Sequence, residues 1–339
     1  MRIFLQSSIF LPTPAPGAGA VEYLVAKLAQ GLAARGHDVT LFALEGSEVP
    51  GVKLVTVPPQ GSPAAREALL VEHMAAATPP FPDVLFDHSL TQLAQKVFGP
   101  GYPAVTMSHG MAPLSPWAHN PVFTSRHHAR LHGLPEAQVL HNGIDLDAIP
   151  EGLPTGERQQ RLVWAGRILP YKRPHVALDW AWEARRPIVL AGPIGDGDYF
   201  RREVEPRVLR ASAPGAESTV QYLGELNRDA LLALFRDSAA LLFTSDESEP
   251  FGIVMLEAMA SGCPVLAYDI GANREIIATQ WSGRFAKDDS DAVDALRKDF
   301  WRNLSPVPCR QFVSETFSME LMVLRAEALL TRALAGVPA

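Results

Sequence analysis

The sequence is poor in cysteine, in basic excess and in long apolar runs, and each shortage closes off a class of protein. Two cysteines, Cys263 and Cys309, stand among 339 residues. They lack metal-type spacing and supply no disulfide framework, which points to a cytoplasmic setting. The formal net charge is −7, so the basic field of a nucleic-acid protein is missing. Attraction to anionic membranes is missing for the same reason. No apolar run reaches the roughly 18 residues that cross a bilayer, so no integral membrane segment is expected. The start, "MRIFLQSSIFLPTPAPGAG", has an apolar run broken by Gln6, Ser7 and Ser8. It reads as a strand and its loop, not as a signal peptide. Neither a low-complexity tract nor a short repeat occurs.

What is there is material for two cores. Hydrophobic residues make up 47% and charged residues 20%, and the length suits about two domains. Strand "RIFL" meets a Gly-containing loop and then "VEYLVAKLAQGLAARG", which sets Val21, Leu24, Val25, Leu28 and Leu32 on one helical face. Gly36 falls where a C-terminal cap belongs. Strands "HDVTLFAL", "DVLFDHS", "PAVTMSHG" and "PVFTS" follow, with helices expected near 64–77, 91–98 and 126–132. The polar, turn-rich "EGLPTGERQQ" (151–160) reads as a domain linker. Beyond it "RLVWAG", "PIVLAG", "TVQYLG", "AALLFTS" and "PVLAYD" each lead into helical segments.

Strands separated by helices predict parallel sheets built from right-handed crossovers. The expected fold is therefore α/β, with two Rossmann-like domains, 1–150 and 151–314. A last amphipathic segment, Met319–Ala335, suits packing on either. Ligands of such sheets bind beyond the carboxyl ends of the strands. Those ends carry Asp87-His88, Ser108-His109-Gly110, Gly166-Arg167, Gly192 and Ser245-Asp246. Facing ends would form one cleft between the domains.

Several residues there suit chemistry. In "EPFGIVMLEAMASG", Pro250 suits a helix start, Phe251, Gly252 and Ile253 offer backbone N–H groups, and Gly252 permits close approach of a ligand. Glu249 lies just before the helix and Glu257 reaches for a hydroxyl from within it. Asp246 and Glu247 read as acids favoured by a helix N-terminus. In "WAGRILPYKRP", Arg167 and Lys172 suit a diphosphate, or form an ordinary basic loop. His109 suits orienting a hydroxyl or moving a proton. A histidine satisfied by backbone groups is the plain alternative, for His88 as well. Gly17 and Gly19 precede a helix, but Glu22 breaks the G-x-G-x-x-G fingerprint of a dinucleotide site. His128 and His132 have Ala129 where a metalloprotease helix needs Glu. The pairs Asp145/Asp147 and Asp196/Asp198 are of a kind common in polar loops, and no metal is expected. Cys263 reads as core.

The ordered set "GLAARGHDVTLFA", "SHG", "HNGID", "GR…K" and "EPFGIVMLEAMASGCPVLAYDIGANREII" resembles the retaining glycosyltransferases of family 4, from Arg2 to about Phe285. The resemblance implies a GT-B fold, with two Rossmann-like domains facing across a cleft. The acceptor would bind to the first and a nucleoside-diphosphate sugar to the second. It implies that the C-terminal helix, 315–339, returns to the first domain. Arg167 and Lys172 would bind the donor diphosphate, and Glu249 the donor sugar. Gly19 and the N–H groups of Phe251, Gly252 and Ile253 would contact the donor, and Glu257 the ribose. Leu223, within Tyr222–Glu225, would border the base. His109 would lie near the donor sugar and the acceptor.

The expected co-substrate is a UDP- or GDP-sugar, with no further cofactor. Two departures stand out: the family's paired glycines are here Gly19-Ala20, and its "GGxxE" is "GANRE", with Ala272 after Gly271. The first domain offers no evident nucleophile, so a front-face reaction is expected. In "SPAAREALLVEHMAAATPP", Arg66 stands against Glu67 and Glu72. A soluble acceptor, a natural product or small saccharide, is therefore expected over a lipid. A sugar-nucleotide epimerase or phosphorylase on the same fold is one alternative, and a non-catalytic sugar-nucleotide binding protein another.

Overall fold

Strands form where β-branched and aliphatic residues run together, and the chain crosses back over them through amphipathic helices. The computed structural model describes residues 1–15, 19–77, 81–211 and 219–336. By internal contacts the chain divides into two units, Met1–Gly143 with Met319–Ala339, and Ile144–Ser318.

The first unit holds β1 (Arg2–Gln6), β2 (Asp38–Leu44), β3 (Lys53–Val57), β4 (Val84–Asp87), β5 (Ala104–Ser108), β6 (Pro121–Phe123) and β7 (Gln138–Val139). Every pairing is parallel, in the order β3-β2-β1-β4-β5-β6-β7. The helix Ala20–Ala34 turns Leu24, Val25, Leu28 and Leu32 inward, each at most 2% exposed. Such burial contributes roughly 1.5–3 kcal/mol per side chain. The helix Pro63–Ala76 packs Leu70, Val71 and Met74 against Phe42, Leu44 and Leu85. The helix Met319–Leu334 belongs to this unit. Its Glu327 binds Arg35 at 2.6 Å and His37 at 2.8 Å, and a Cβ on Gly31 would come within 2.4 Å of Val323.

The second unit holds β8 (Leu162–Ala165), β9 (Ile188–Ala191), β10 (Val220–Tyr222), β11 (Ala240–Phe243), β12 (Val265–Tyr268) and β13 (Gly283–Ala286). They pair in parallel in the order β10-β9-β8-β11-β12-β13. Alternation places Val163, Leu241 and Val265 in one core with the helix Ile253–Ala260, and Leu162, Leu242 and Leu266 in the other with the helix Pro174–Glu183. The segment 151–160, expected as a linker, lies inside this unit. Arg158 is 5% exposed, Gln159 N–H bonds the Asp237 carbonyl, and a Cβ on Gly152 would meet the Ser261 carbonyl. Ile144 and Ile149 also fill the second core, so the break between units comes before them.

Each sheet reverses its order beside its first strand, between β1 and β4 and between β8 and β11. Crevices at such reversals are where open parallel sheets bind ligands. The residues just beyond these four strands therefore define the candidate sites.

Candidate functional site

In the second unit, glycines let neighbouring strand ends approach closely. A Cβ on Gly192 would stand 1.9 Å from the Gly166 carbonyl oxygen, and Gly192 N–H bonds the Gly224 carbonyl at 2.7 Å. Arg167 leaves β8 from this point. Its stem lies on Gly195, where a Cβ would come within 2.7 Å of it. The side chain is exposed. Among the described residues, no ion pair takes up its guanidinium.

Lys172 ends the turn Pro170–Lys172. The turn is tied to the end of β11: Thr244 Oγ1 lies 3.1 Å from the Lys172 carbonyl and 2.9 Å from that of Arg173, and Asp246 N–H donates to the Tyr171 carbonyl at 2.8 Å. This places Lys172 Nζ 2.5 Å from Glu249 Oε2, with the two side chains 19% and 12% exposed. Burial disfavours the Lys172 ammonium. The facing Glu249 carboxylate, helped by Tyr171, more than offsets this, and the lysine pKa sits above its ordinary value. The sequence suggested both residues without indicating that they pair.

The helix begins at Ile253 and not at Pro250. Gly252 precedes it at φ 89°, and a Cβ there would lie 2.7 Å from the Phe243 ring. This backbone turn, which only glycine makes without strain, sets the helix start. Phe251 is 2% exposed, with its ring in the core against Phe317 at 6.2 Å. Among the described residues no hydrogen bond takes up the N–H of Gly252 or Ile253, so both remain available. Asp246 lies on the loop before the helix. It accepts from Ser248 N at 2.9 Å and Ser248 Oγ at 2.5 Å, closing a turn.

Glu257 is 8% exposed and forms an ion pair with Arg228. Burial raises the Glu257 pKa and the Arg228 guanidinium pulls it back in part. Arg228 went unnoticed in the sequence. The only local signal is Asn227, which caps the helix Arg228–Asp237. Leu223 follows β10 and is 37% exposed.

In the first unit Gly19 caps the helix Ala20–Ala34, and a Cβ there would stand 2.2 Å from that of Ala15. Ala20 points outward, so the second glycine position tolerates a side chain while the first does not. Gly17 lies outside the described residues. Glu22 is buried and accepts from the Ser8 hydroxyl.

His109 belongs to a histidine cluster beyond β4, β5 and β6. His88 Nδ1 lies 2.8 Å from His109 Nε2, with the rings stacked at 5.1 Å. His88 is 4% exposed and its Nε2 has no partner. His128 Nε2 and His132 Nε2 lie 2.9 and 3.2 Å from the Gly110 carbonyl, so both donate to it. This pair thus fastens the loop after β5 and is not arranged as metal ligands. Burial, with help from His128, lowers the His109 pKa to about 4. Burial lowers that of His128 to about 4 as well, and holds His88 well below the ordinary histidine value.

The second acid pair holds its own loop. Asp196 accepts from Tyr199 N–H and Asp198 pairs with Arg201. Among the described residues no group of three or more His, Cys, Asp or Glu is placed to hold a metal ion. Among these residues no helix is long and apolar enough to cross a membrane.

Residues 146–300 match the family described as Glycosyl transferases group 1. D-inositol 3-phosphate glycosyltransferases of Mycobacterium bovis and Mycobacterium tuberculosis are 35% identical over 185 residues, covering 49% of this chain and 37% of theirs. The chain therefore spans well under half the length of these curated relatives. Among solved structures, AviGT4, a glycosyltransferase involved in avilamycin A biosynthesis, is similar with a TM-score of 0.75 and 23% identity over 99% of both chains. Sucrose-phosphate synthase from Thermosynechococcus elongatus gives 0.76 and 18%, over 99% of this chain and 100% of that one. Anabaena Alr3699/HepE in complex with UDP and glucose gives 0.71 and 18%, over 98% and 99%. These likenesses are of fold, and they identify the two Rossmann-like units as a GT-B framework. The group 1 glycosyltransferase match, residues 146–300, falls within the second unit of that framework.

Proposed function

We propose that this protein is a retaining glycosyltransferase of family 4. It would move a sugar from a UDP- or GDP-sugar, held by the second unit, to a hydroxyl of a soluble acceptor held by the first. The observation that carries the reading is the Lys172–Glu249 ion pair beside the unpaired Arg167, at the carboxyl ends of β8 and β11.

As the bond from anomeric carbon to diphosphate breaks, negative charge gathers on the leaving phosphate. Arg167, Lys172 and the N–H groups of Gly252 and Ile253 meet that charge, in a setting where donors need not reorganise. Lys172 also holds Glu249 in place, so that its free carboxylate oxygen accepts from sugar hydroxyls. Glu257, oriented by Arg228, accepts from the ribose hydroxyls. Leu223 offers apolar surface to the base. His109, neutral near pH 7, hydrogen-bonds on the acceptor side in the first unit.

A hydrolase that retains configuration sets two carboxylates about 5 Å apart across the bond. Here the carboxylate beside the sugar is engaged by a lysine. The reading is therefore front-face attack, in which a leaving-phosphate oxygen takes the acceptor proton and no sugar–enzyme bond forms. The cations and backbone donors supply the charge, so transfer proceeds without a divalent metal, in the cytoplasm.

A thermal-shift screen of nucleoside diphosphates and nucleotide sugars tests the donor half. Release of nucleoside diphosphate only on adding acceptor tests transfer against epimerisation. Failure of every nucleotide to raise the melting temperature, or loss of activity with EDTA, counts against this reading.

A further inference from the structure

The first unit has a cavity of about 120 Å³ at its sheet reversal, beyond β1, β4 and β5. Its walls are mainly Ile9, Phe10, Val21, Leu90, Met107 and Leu114. Among the described residues, no lysine or arginine lines it, and Glu22 is its one carboxylate. Phe10 and Leu90 are 49% and 43% exposed and extend the apolar wall outward. The nearby Arg66 gives Nη1 to the Ile9 carbonyl at 3.1 Å and is not part of the lining.

On the reading that the first unit holds the acceptor, we propose that this cavity selects a neutral acceptor. Such a molecule has an apolar body and a hydroxyl that donates to Glu22, and phosphorylated acceptors are turned away. A phosphate monoester entering here would lose water, meet a buried carboxylate and find no permanent cation. The two histidines on the wall, His88 and His109, do not substitute for one, because burial keeps both uncharged near pH 7. An aromatic or aliphatic body instead covers Phe10 and Leu90, which are otherwise left in water. The cavity is too small for a whole sugar or ring system, so it takes the hydroxyl-bearing end while the rest lies along that wall. The absence of cations separates this site from the second unit, where Arg167 and Lys172 stand ready for a diphosphate.

The test is calorimetric titration of the full chain with 2-naphthol and with D-inositol 3-phosphate, each with and without saturating UDP. The expected result is naphthol binding at least about tenfold tighter than the phosphate. Leu90→Arg should weaken naphthol binding by about tenfold and narrow the gap. Its melting temperature should stay near that of the parent, because Leu90 is half in solvent. Equal or tighter binding of the phosphate, binding of neither probe, or naphthol affinity unmoved by Leu90→Arg overturns the proposal. Failure of UDP to bind strikes the glycosyltransferase reading instead, since the naphthol comparison is also made without nucleotide.

Discussion

Lys172 Nζ lies 2.5 Å from Glu249 Oε2 although 77 positions separate the two residues in the chain. The pair joins the loop after β8 to the loop after β11, so the cation and the acid act as one unit. Substituting Lys172 by Met leaves a largely buried carboxylate without its partner. The expected cost is about 1–3 kcal/mol in urea unfolding. Glu249→Gln should lower kcat by about 10²- to 10³-fold, as loss of a positioned charged group does. Intact-protein mass spectrometry should show no sugar bound to any Glu249 variant; an adduct would reject front-face transfer.

Arg167 is exposed and unpaired, so it contributes little to folding. Arg167→Ala should change unfolding free energy by less than about 0.5 kcal/mol. It should weaken UDP binding by roughly 10- to 100-fold, the value of charge-assisted hydrogen bonds to phosphate. Calorimetry separates the two effects, and unchanged UDP affinity would remove Arg167 from the donor site.

Arg228 neutralises a carboxylate that is 8% exposed. Arg228→Met should cost about 2–4 kcal/mol and push the Glu257 pKa further up. Nucleotide affinity should then fall as pH drops, since a protonated Glu257 accepts fewer hydroxyls. The double variant Arg228→Met/Glu257→Met should regain most of the stability without regaining affinity. If stability stays low, the loss came from packing.

Gly252→Ala tests the turn ahead of the helix. A left-handed backbone and a Phe243 ring 2.7 Å away oppose a methyl group there. Destabilisation of about 1–3 kcal/mol is expected, together with weaker UDP binding as the Gly252 and Ile253 N–H groups shift. A variant as stable and active as the parent would show that the turn tolerates Cβ.

Stability should fall as the solution is acidified below the ordinary histidine value of 6.5. Burial holds His109 and His128 at about 4 in the fold, so between these values the unfolded chain takes up protons that the folded chain refuses. His88, lower still, adds to the same loss. Asp87 opposes it, because burial raises its pKa to about 6 and it gains a proton first in the folded state. Glu257, also raised by burial, acts in the same sense as Asp87, and His175, lowered by burial, adds to the loss. Two carboxyls thus act against four histidines, so the melting temperature should drop from about pH 7.5 to about pH 5. A flat profile would mean that the histidines carry charge in the fold.

The strands that went unread in the sequence are β3, β7 and β13, and all three lie at sheet edges. An edge strand is covered on fewer sides, and β3 and β7 are mostly half-buried. Their residues therefore lack the unbroken apolar run that betrays "IVLA" or "ALLF". The helix starts later than Pro250 for a related reason: Pro250 carries a local preference, while Phe243, from β11, decides where Gly252 must turn. The cationic loop, both glutamates, Gly252 and His109 were legible because each falls at a strand end or helix start marked by its own neighbours. Arg228 was not, since it matters only for the residue it faces; His88 was marked by its strand end, but its contact with His109 was not.

The sequence by itself determined the alternation of strand and helix, and with it two parallel sheets whose carboxyl ends carry the candidate residues. That information is local, written in periodicity, glycine and proline. Only the tertiary structure decided which ends meet. The reversals beside β1 and β8, the Lys172–Glu249 and Arg228–Glu257 pairs and the contact of His88 with His109 all join residues distant in the chain. Such contacts follow from the packing of helices on both faces of a sheet, and no local propensity encodes them.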